Sequence, residues 1–268
     1  MQPLSYTCRV RDLPIEVSRV LERLLPAILQ ALGGRVVSIV LWGSSVLGDY
    51  RVGRSDIDLL VGLDADPDAA ILGRLQAVHV ELDRALPEWR GRIEVTYVGL
   101  PSLQSFRTKP HVIARISLGE PLNLRTADSR WLIDWFQAAT ACVTLYGRAA
   151  AEIIPPITAD ELRAESARQL EWRATRPPDD ASDALLAYIV LLACRALYAI
   201  EHGRQTSKSN AGRWLAQSYP AWASLAEASV RLNELSEAPH DRRIRPNDVE
   251  RFTVWAARLG QERIGSRR

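Results

Sequence analysis

The sequence predicts an α/β (α+β) domain, in which helices flank a small mixed sheet. An all-helical bundle follows it. The first half alternates β-branched apolar runs with segments of helical periodicity, and the second half carries helical patterns alone. The paired prolines Pro155 and Pro156 separate the two patterns, because adjacent prolines cannot continue a helix. We therefore predict two domains, 1–154 and 155–268, which a chain of 268 residues is long enough to form.

Two helices and three strands are predicted in the first half. Asp12 can cap a helix that ends at Gly33-Gly34, and a second helical pattern covers 67–86. The strands are the apolar runs 35–42 and 56–62 and the alternating segment 92–98, and a Gly- and Ser-rich loop covers 43–55. In the alternating segment Glu94 lies on the face opposite Ile93, Val95 and Tyr97.

The second half is predicted to be helical throughout. Thr158, with Glu161 three residues later, forms a capping box for its first helix. The second helix covers 183–202 and ends at Gly203, and Arg195 interrupts its apolar run, which indicates a core helix rather than a membrane span. The remaining helical patterns are 210–218, 221–236 and 246–264.

Composition and charge exclude several classes of protein. The net charge is +2, whereas a protein that binds nucleic acid through a basic domain usually has a strongly positive charge. The three cysteines, Cys8, Cys142 and Cys194, are odd in number and far apart, so they favour a reducing cytoplasm over a disulfide framework. No signal peptide is predicted at the N-terminus. We expect a cytoplasmic monomer or weak dimer that binds neither nucleic acid nor membrane.

The chemistry is concentrated in Gly43-Ser44, an eleven-residue gap, and Asp56-Ile57-Asp58. Gly43 lets backbone approach a ligand, and Ser44 offers a hydroxyl and an N–H to phosphate oxygens. Asp56 and Asp58 are two residues apart on a strand, so both carboxylates project from one face. Like charges at that separation require a cation between them, and oxygen ligands suit Mg²⁺.

A plainer interpretation is that Asp56 caps a turn and Asp58 faces solvent. The context favours the metal, because the Asp-Ile-Asp motif leads directly into the apolar run Leu59-Leu60-Val61 and Gly-Ser precedes it at loop distance. If the strands are neighbours, Glu94 completes a cluster of three carboxylates.

This order of motifs resembles the DNA polymerase β superfamily of nucleotidyltransferases. The segment WGSSVLGDYRVGRSDIDLLV is most similar to the aminoglycoside 3''/9-adenylyltransferases that inactivate streptomycin and spectinomycin. The segments RIEVTYV, SLGEPLN and CVTLYG follow in the family's order, and LLACRALYAIEHGRQTSKSNAGRWL resembles its helical C-terminal domain.

The resemblance implies a role for each matching residue. Asp56 and Asp58 match metal-binding aspartates, and Glu94 matches the catalytic base and third metal ligand. The residues that match nucleotide-binding positions are Gly43, Ser44, Ser55, Arg195 and Lys208. The family would use two Mg²⁺ ions and ATP to transfer AMP to a hydroxyl of a small cationic or polyhydroxylated acceptor, at a site between the domains. For Arg195 an interhelical salt bridge and for Lys208 a plain surface position are the alternatives.

The acceptor pocket departs from the family pattern. Pro121 stands where members that accept streptomycin have Trp, and Leu185 stands where an acidic residue is expected, with Asp183 two residues away. Glu120 and Asp183 are the candidate acceptor-binding residues. Trp131, Trp135 and Trp172 could stack on sugar rings, although core packing is the favoured interpretation.

Three alternatives remain. A protein-adenylylating enzyme of the toxin-neutralising type would share the motif, but such enzymes are usually short single domains. A polymerase or tRNA-modifying enzyme conflicts with the near-neutral charge. A non-catalytic nucleotide-binding relative conflicts with the intact carboxylate set.

Overall fold

The structure, a computed structural model, describes residues 13–176, 178, 181–235 and 244–266. The chain divides into two compact units, Met1–Pro156 and Ile157–Arg268. Unit 1 carries the sheet, and unit 2 is helical throughout its described residues. This is the mixed sheet with flanking helices, followed by a helical region, that the sequence predicts.

The six strands of unit 1 are β1 (Val36–Trp42), β2 (Ile57–Leu63), β3 (Ile93–Gly99), β4 (His111–Ser117), β5 (Glu120–Ala127) and β6 (Val143–Gly147). They form one sheet with the strand order β5-β4-β3-β2-β1-β6. The parallel pair is β2 and β3, and the other neighbouring strands are antiparallel. The central strands are β-branched and apolar, and they are buried on both faces.

Helices cover the sheet of unit 1. Its long helices, α1 (Ile15–Leu32) and α3 (Ala69–Ala85), pack their apolar side chains on the face that carries Ile93, Val95 and Tyr97. Glu94 and Thr96 therefore project from the other face of β3. The shorter helices are α2 (Ser44–Leu47), α4 (Leu100–Ser105), α5 (Leu132–Thr140) and α6 (Ala150–Ile153).

The ends of the elements show where the sequence interpretation was right and where it fell short. α1 ends as predicted at Gly33, which has φ +58, whereas its predicted cap, Asp12, lies outside the described residues. The predicted loop 43–55 contains the one-turn helix α2. Strands β4, β5 and β6 and helices α4 to α6 were not among the elements predicted from periodicity, since their runs are short and partly exposed.

Unit 2 contains five α-helices in its described residues. Thr158 and Glu161 form the predicted capping box on the first of them. The second, which ends at Gly203 with φ +65, supplies much of the core. It is the one described helix long and apolar enough for a membrane span, and most of that stretch is buried in the unit, as predicted for a core helix. The five are α7 (Ala159–Ala174), α8 (Asp183–His202), α9 (Lys208–Ser218), α10 (Ala223–Glu234) and α11 (Pro246–Gly265).

Candidate active site

Asp58 and Glu94 lie side by side on the parallel strands β2 and β3, where their Cα atoms are register partners. Because side chains alternate along a strand, partners on adjacent strands project from the same face of the sheet. Asp56 comes directly before β2, two residues from Asp58 and therefore on the same side. The two strands are therefore neighbours, which is the condition under which Glu94 was expected to complete the cluster.

The three carboxylates form one cluster. One oxygen each from Asp56, Asp58 and Glu94 lies within 4.8 Å of the other two, and all three side chains are partly exposed. Three anionic groups at this separation repel one another unless a cation lies between them. A set of oxygen donors alone is the type that Mg²⁺ prefers, since it binds through a few carboxylates and keeps positions for water and phosphate. The residues present therefore fit a magnesium site.

Gly43 packs directly against the Asp58 carboxylate. It has φ +76 and ψ −150, a conformation that L-residues with a side chain rarely adopt. A Cβ built at this position would overlap the Asp58 side chain. Gly43 is required on both grounds, so the Gly-Ser and Asp-Ile-Asp motifs are in contact.

The two serines of this region differ in their hydrogen bonds. The Ser44 hydroxyl is buried and has no hydrogen-bond partner within the part of the chain that the structure describes. The Ser55 hydroxyl accepts a hydrogen bond from the Arg51 backbone N–H at 2.8 Å, and its carbonyl accepts two from the Arg92 guanidinium. Ser55 thus shapes the loop before β2, whereas the buried Ser44 hydroxyl makes no bond to the described residues.

Both carboxylate oxygens of Glu94 are held by neighbours. Oε2 accepts a hydrogen bond from Arg115 Nη2 at 2.9 Å, and Oε1 accepts one from the Leu118 backbone N–H at 3.2 Å. Leu118 lies in the turn between β4 and β5, so the SLGEPLN segment positions Glu94. Burial raises the pKa of the Glu94 carboxyl, Arg115 opposes that rise, and the negative charges of Asp56 and Asp134 add to it.

Arg115 on β4 is a site residue that sequence reasoning missed. Its Nη1 also donates to the Thr96 hydroxyl at 3.0 Å, and its guanidinium carbon lies 4.8 Å from the centre of the Trp131 ring. The contact depends on the pairing of Thr96 with Arg115 across β3 and β4. A β4 strand was not predicted from the local pattern, so no sequence signal pointed to this residue.

The three tryptophans have different surroundings. Trp135 is buried and stacks with Trp131 at a ring separation of 5.8 Å, which agrees with the predicted core packing. Trp172 is half-exposed and lies beside the Arg173 and Arg176 guanidinium groups, so its assignment to the core was wrong.

The predicted nucleotide cations of unit 2 lie on consecutive helices. Arg195 is on α8 and donates to the Gln205 side chain at 3.5 Å. Lys208 is the first residue of α9, whose cap is Ser207, and its Nζ lies 5.1 Å from the centre of the Tyr188 ring. The loop between α8 and α9 therefore brings a cation to the N-terminal end of α9, where backbone N–H groups favour anions.

The two candidate acceptor residues belong to different units. Glu120 begins β5, is exposed, and pairs with Arg125 on the same strand. Asp183 is the first residue of α8 and is partly buried.

Two family models match the chain. A model of the nucleotidyltransferase domain matches residues 21–123, and a model of the aminoglycoside adenylyltransferase C-terminal domain matches residues 153–255. No curated protein sequence matches the chain significantly.

One of the similar solved structures is spectinomycin adenyltransferase AAD(9) from Enterococcus faecialis, determined with ATP and spectinomycin. It has a TM-score of 0.73 and 17% identity over 91% of this chain and 99% of that one, a likeness that shows the shared fold. The two family models cover about three quarters of the sequence, in the order of its two units. The chain is an adenylyltransferase and belongs to the aminoglycoside adenylyltransferases of the nucleotidyltransferase superfamily.

Proposed function

We propose that the chain transfers AMP from Mg-ATP to a hydroxyl group of an aminocyclitol or aminoglycoside antibiotic and releases pyrophosphate. The observation that carries the proposal is the cluster of Asp56, Asp58 and Glu94 in a chain of this family. Within the antibiotics of the streptomycin and spectinomycin type, we propose spectinomycin as the first acceptor. Pro121 stands where the resemblance associates Trp with streptomycin, and the similar AAD(9) structure was determined with spectinomycin.

The reaction is an in-line displacement at the α-phosphorus. The acceptor oxygen forms a bond to phosphorus as the bond from phosphorus to the bridging oxygen of pyrophosphate breaks. Glu94 accepts the proton of the attacking hydroxyl, and Asp56 and Asp58 would be the main ligands of the metal. When bound, one or two Mg²⁺ ions would compensate the charge on the attacking and leaving oxygens.

The Gly43-Ser44 segment is the proposed contact for the nucleotide phosphates in unit 1. The buried Ser44 hydroxyl lacks a partner in the described residues, and a buried hydroxyl without a partner is costly unless a ligand supplies one. The contact between Gly43 and Asp58 brings this segment beside the carboxylates. Ser55 supports the same loop through its bonds to Arg51 and Arg92.

Arg195 and Lys208 are the proposed partners of the leaving pyrophosphate. The start of α9 at Lys208 supports this role, since it places a cation at a helix N-terminus, where the helix dipole favours anions. For the acceptor we propose Glu120 and Asp183, whose carboxylates suit a cationic antibiotic.

The test is transfer of label from ATP to a panel of acceptors. The enzyme, Mg²⁺ and ATP labelled at the α-phosphate are incubated with spectinomycin, streptomycin, other aminoglycosides, protein and RNA in turn. We expect label on spectinomycin, and no transfer when the label is at the γ-phosphate. Label on a protein would select the protein-adenylylating function instead, and an absence of label on every acceptor would refute the proposal.

A further inference from the structure

We propose that Arg115 is a positioning residue for the reaction, which holds the Glu94 carboxylate in the orientation from which it accepts the acceptor's proton. This inference rests on the proposed function, because it assigns Glu94 the role of base.

Three contacts fix the Arg115 guanidinium. Nη2 donates to Glu94 Oε2 at 2.9 Å, Nη1 donates to Thr96 Oγ1 at 3.0 Å, and the Trp131 ring lies beside the guanidinium carbon at 4.8 Å. Arginine suits this arrangement because its planar fork presents several N–H groups in fixed directions. The guanidinium therefore has little freedom to rotate, and it can restrict the carboxylate to which it is bound.

The Arg115–Glu94 pair is shielded from solvent. The side chains of Arg115 and Glu94 are 16% and 18% exposed. By contrast, the Arg35–Asp64 pair, which lies beyond the far end of β2, has side chains that are 32% and 53% exposed. A shielded pair is less weakened by water than an exposed one, so its geometry is better maintained.

Glu94 needs such a restraint because its nearest carboxylates repel it. Asp56 and Asp58 each bring an oxygen within 4.8 Å, and a glutamate side chain has rotamers that would take its charge away from theirs. Arg115 and the Leu118 N–H oppose that rotation by binding one carboxylate oxygen each. A carboxylate has about four lone-pair sites, so both oxygens can still accept a proton or a metal ion.

The competing interpretation is a purely structural one, in which Arg115 only ties β3 to β4 through Thr96 and Glu94. The two roles predict different kinetics. A structural tie affects the free energy of unfolding and leaves the transfer rate of the folded enzyme unchanged. A positioning role lowers kcat and leaves the KM for ATP nearly unchanged, since the loss occurs in the chemical step.

The test compares Arg115→Ala and Arg115→Lys with the wild-type enzyme and with Arg35→Ala, which removes the exposed pair. For Arg115→Ala we expect kcat to fall about 100-fold while the KM for ATP changes less than about threefold. Arg115→Lys should have a kcat between those of Arg115→Ala and the wild type. A lysine ammonium cannot reproduce the planar guanidinium that binds Glu94 and Thr96 at the same time. Arg35→Ala should keep the wild-type kcat.

Chemical rescue distinguishes the two roles, because added guanidinium should not change kcat if Arg115 only ties the two strands together. Guanidinium ion added at millimolar concentration to Arg115→Ala should raise kcat about tenfold, and urea, which has a similar shape and no charge, should not. The inference would be overturned if Arg115→Ala had the wild-type kcat, or if guanidinium did not restore its lost kcat. Either result would leave the proposed function standing. A wild-type enzyme that transfers no AMP to any acceptor would overturn the proposed function, and this inference with it.

Discussion

Gly43 and Asp58 are in direct contact, so closely that a Cβ on Gly43 would overlap the Asp58 carboxylate. Trp42, the preceding residue, pairs with Asp58 across β1 and β2, which sets the distance between the two backbones. The short Gly-Ser motif and the distant Asp-Ile-Asp motif are thus parts of one structure, and neither can be displaced without moving the other.

Gly43→Ala should therefore disable the enzyme more than it destabilises it. The added methyl group displaces Asp58, and a shift of about 1 Å at a reacting group can reduce the rate about 100-fold. Gly48→Ala is the matched control, because Gly48 also has a positive φ, +73, with no atom near its Cβ position. It should lose about 1 kcal/mol of stability and keep its transfer rate. Steady-state transfer and thermal unfolding of both variants would test this, and equal rates for the two would contradict it.

Glu94→Gln should reduce transfer through kcat. Loss of a general base reduces rates about 10²- to 10⁴-fold, and the amide cannot accept the proton of the acceptor hydroxyl. Asp64→Asn is the control, since Asp64 follows the opposite end of β2 and pairs with Arg35 at the surface. Full activity of Glu94→Gln in the labelled-ATP assay would exclude Glu94 as the base.

Lys208→Arg should lower kcat for transfer by about tenfold, because a planar guanidinium does not replace a compact ammonium at a phosphate. The chain makes this comparison informative. Its only other lysine is Lys109, and every other cation among its 34 Lys and Arg residues is Arg. Lys109→Arg should have no effect on transfer. Identical kinetics for the two variants would contradict a specific requirement for lysine at position 208.

Stability should fall in acid because of His79. This side chain is buried on α3 beside Tyr97, 2.8 Å from its hydroxyl, and burial lowers its pKa to about 4. Above pH 6.5 the residue is neutral in both folded and unfolded chains. As the pH falls from 6.5 towards 4, the unfolded chain binds a proton that the folded chain excludes, so the free energy of unfolding decreases, by about 2 kcal/mol at pH 5.

Denaturant unfolding of the wild type and of His79→Gln at pH 7.5 and pH 5 would measure this effect. The wild type should lose about 2 kcal/mol more than the variant between the two pH values. Parallel losses would show that another group carries the acid sensitivity.

The sequence predicted those parts of the fold and site whose signals are local. The β-branched run before Trp42 and the alternation around Glu94 predicted strands β1 and β3, and the spacing of Asp56 and Asp58 predicted a shared face. The sequence also predicted the capping box of Thr158 and Glu161 and the end of α8 at Gly203. Helix caps are encoded within a few residues, so they can be recognised locally.

The features that the sequence did not reveal are those that depend on pairing between distant segments. Arg115 reaches Glu94 only because β4 pairs antiparallel with β3, and Leu118 reaches it only because of the turn that follows. Nothing within a few residues of Arg115 distinguishes it from the many surface arginines of this chain. Periodicity also failed for β5, a partly exposed strand at the edge of the sheet.

The central claim is that the carboxylates of β2 and β3 perform magnesium-dependent transfer of AMP. The most direct measurement is formation of the AMP adduct of spectinomycin from α-labelled ATP, in the wild type and in Asp58→Asn, with thermal unfolding measured on the same samples. We predict Mg²⁺-dependent adduct in the wild type and a loss of about 1000-fold or more in Asp58→Asn, with an unchanged unfolding temperature. Adduct formed by Asp58→Asn at the wild-type rate would contradict the account.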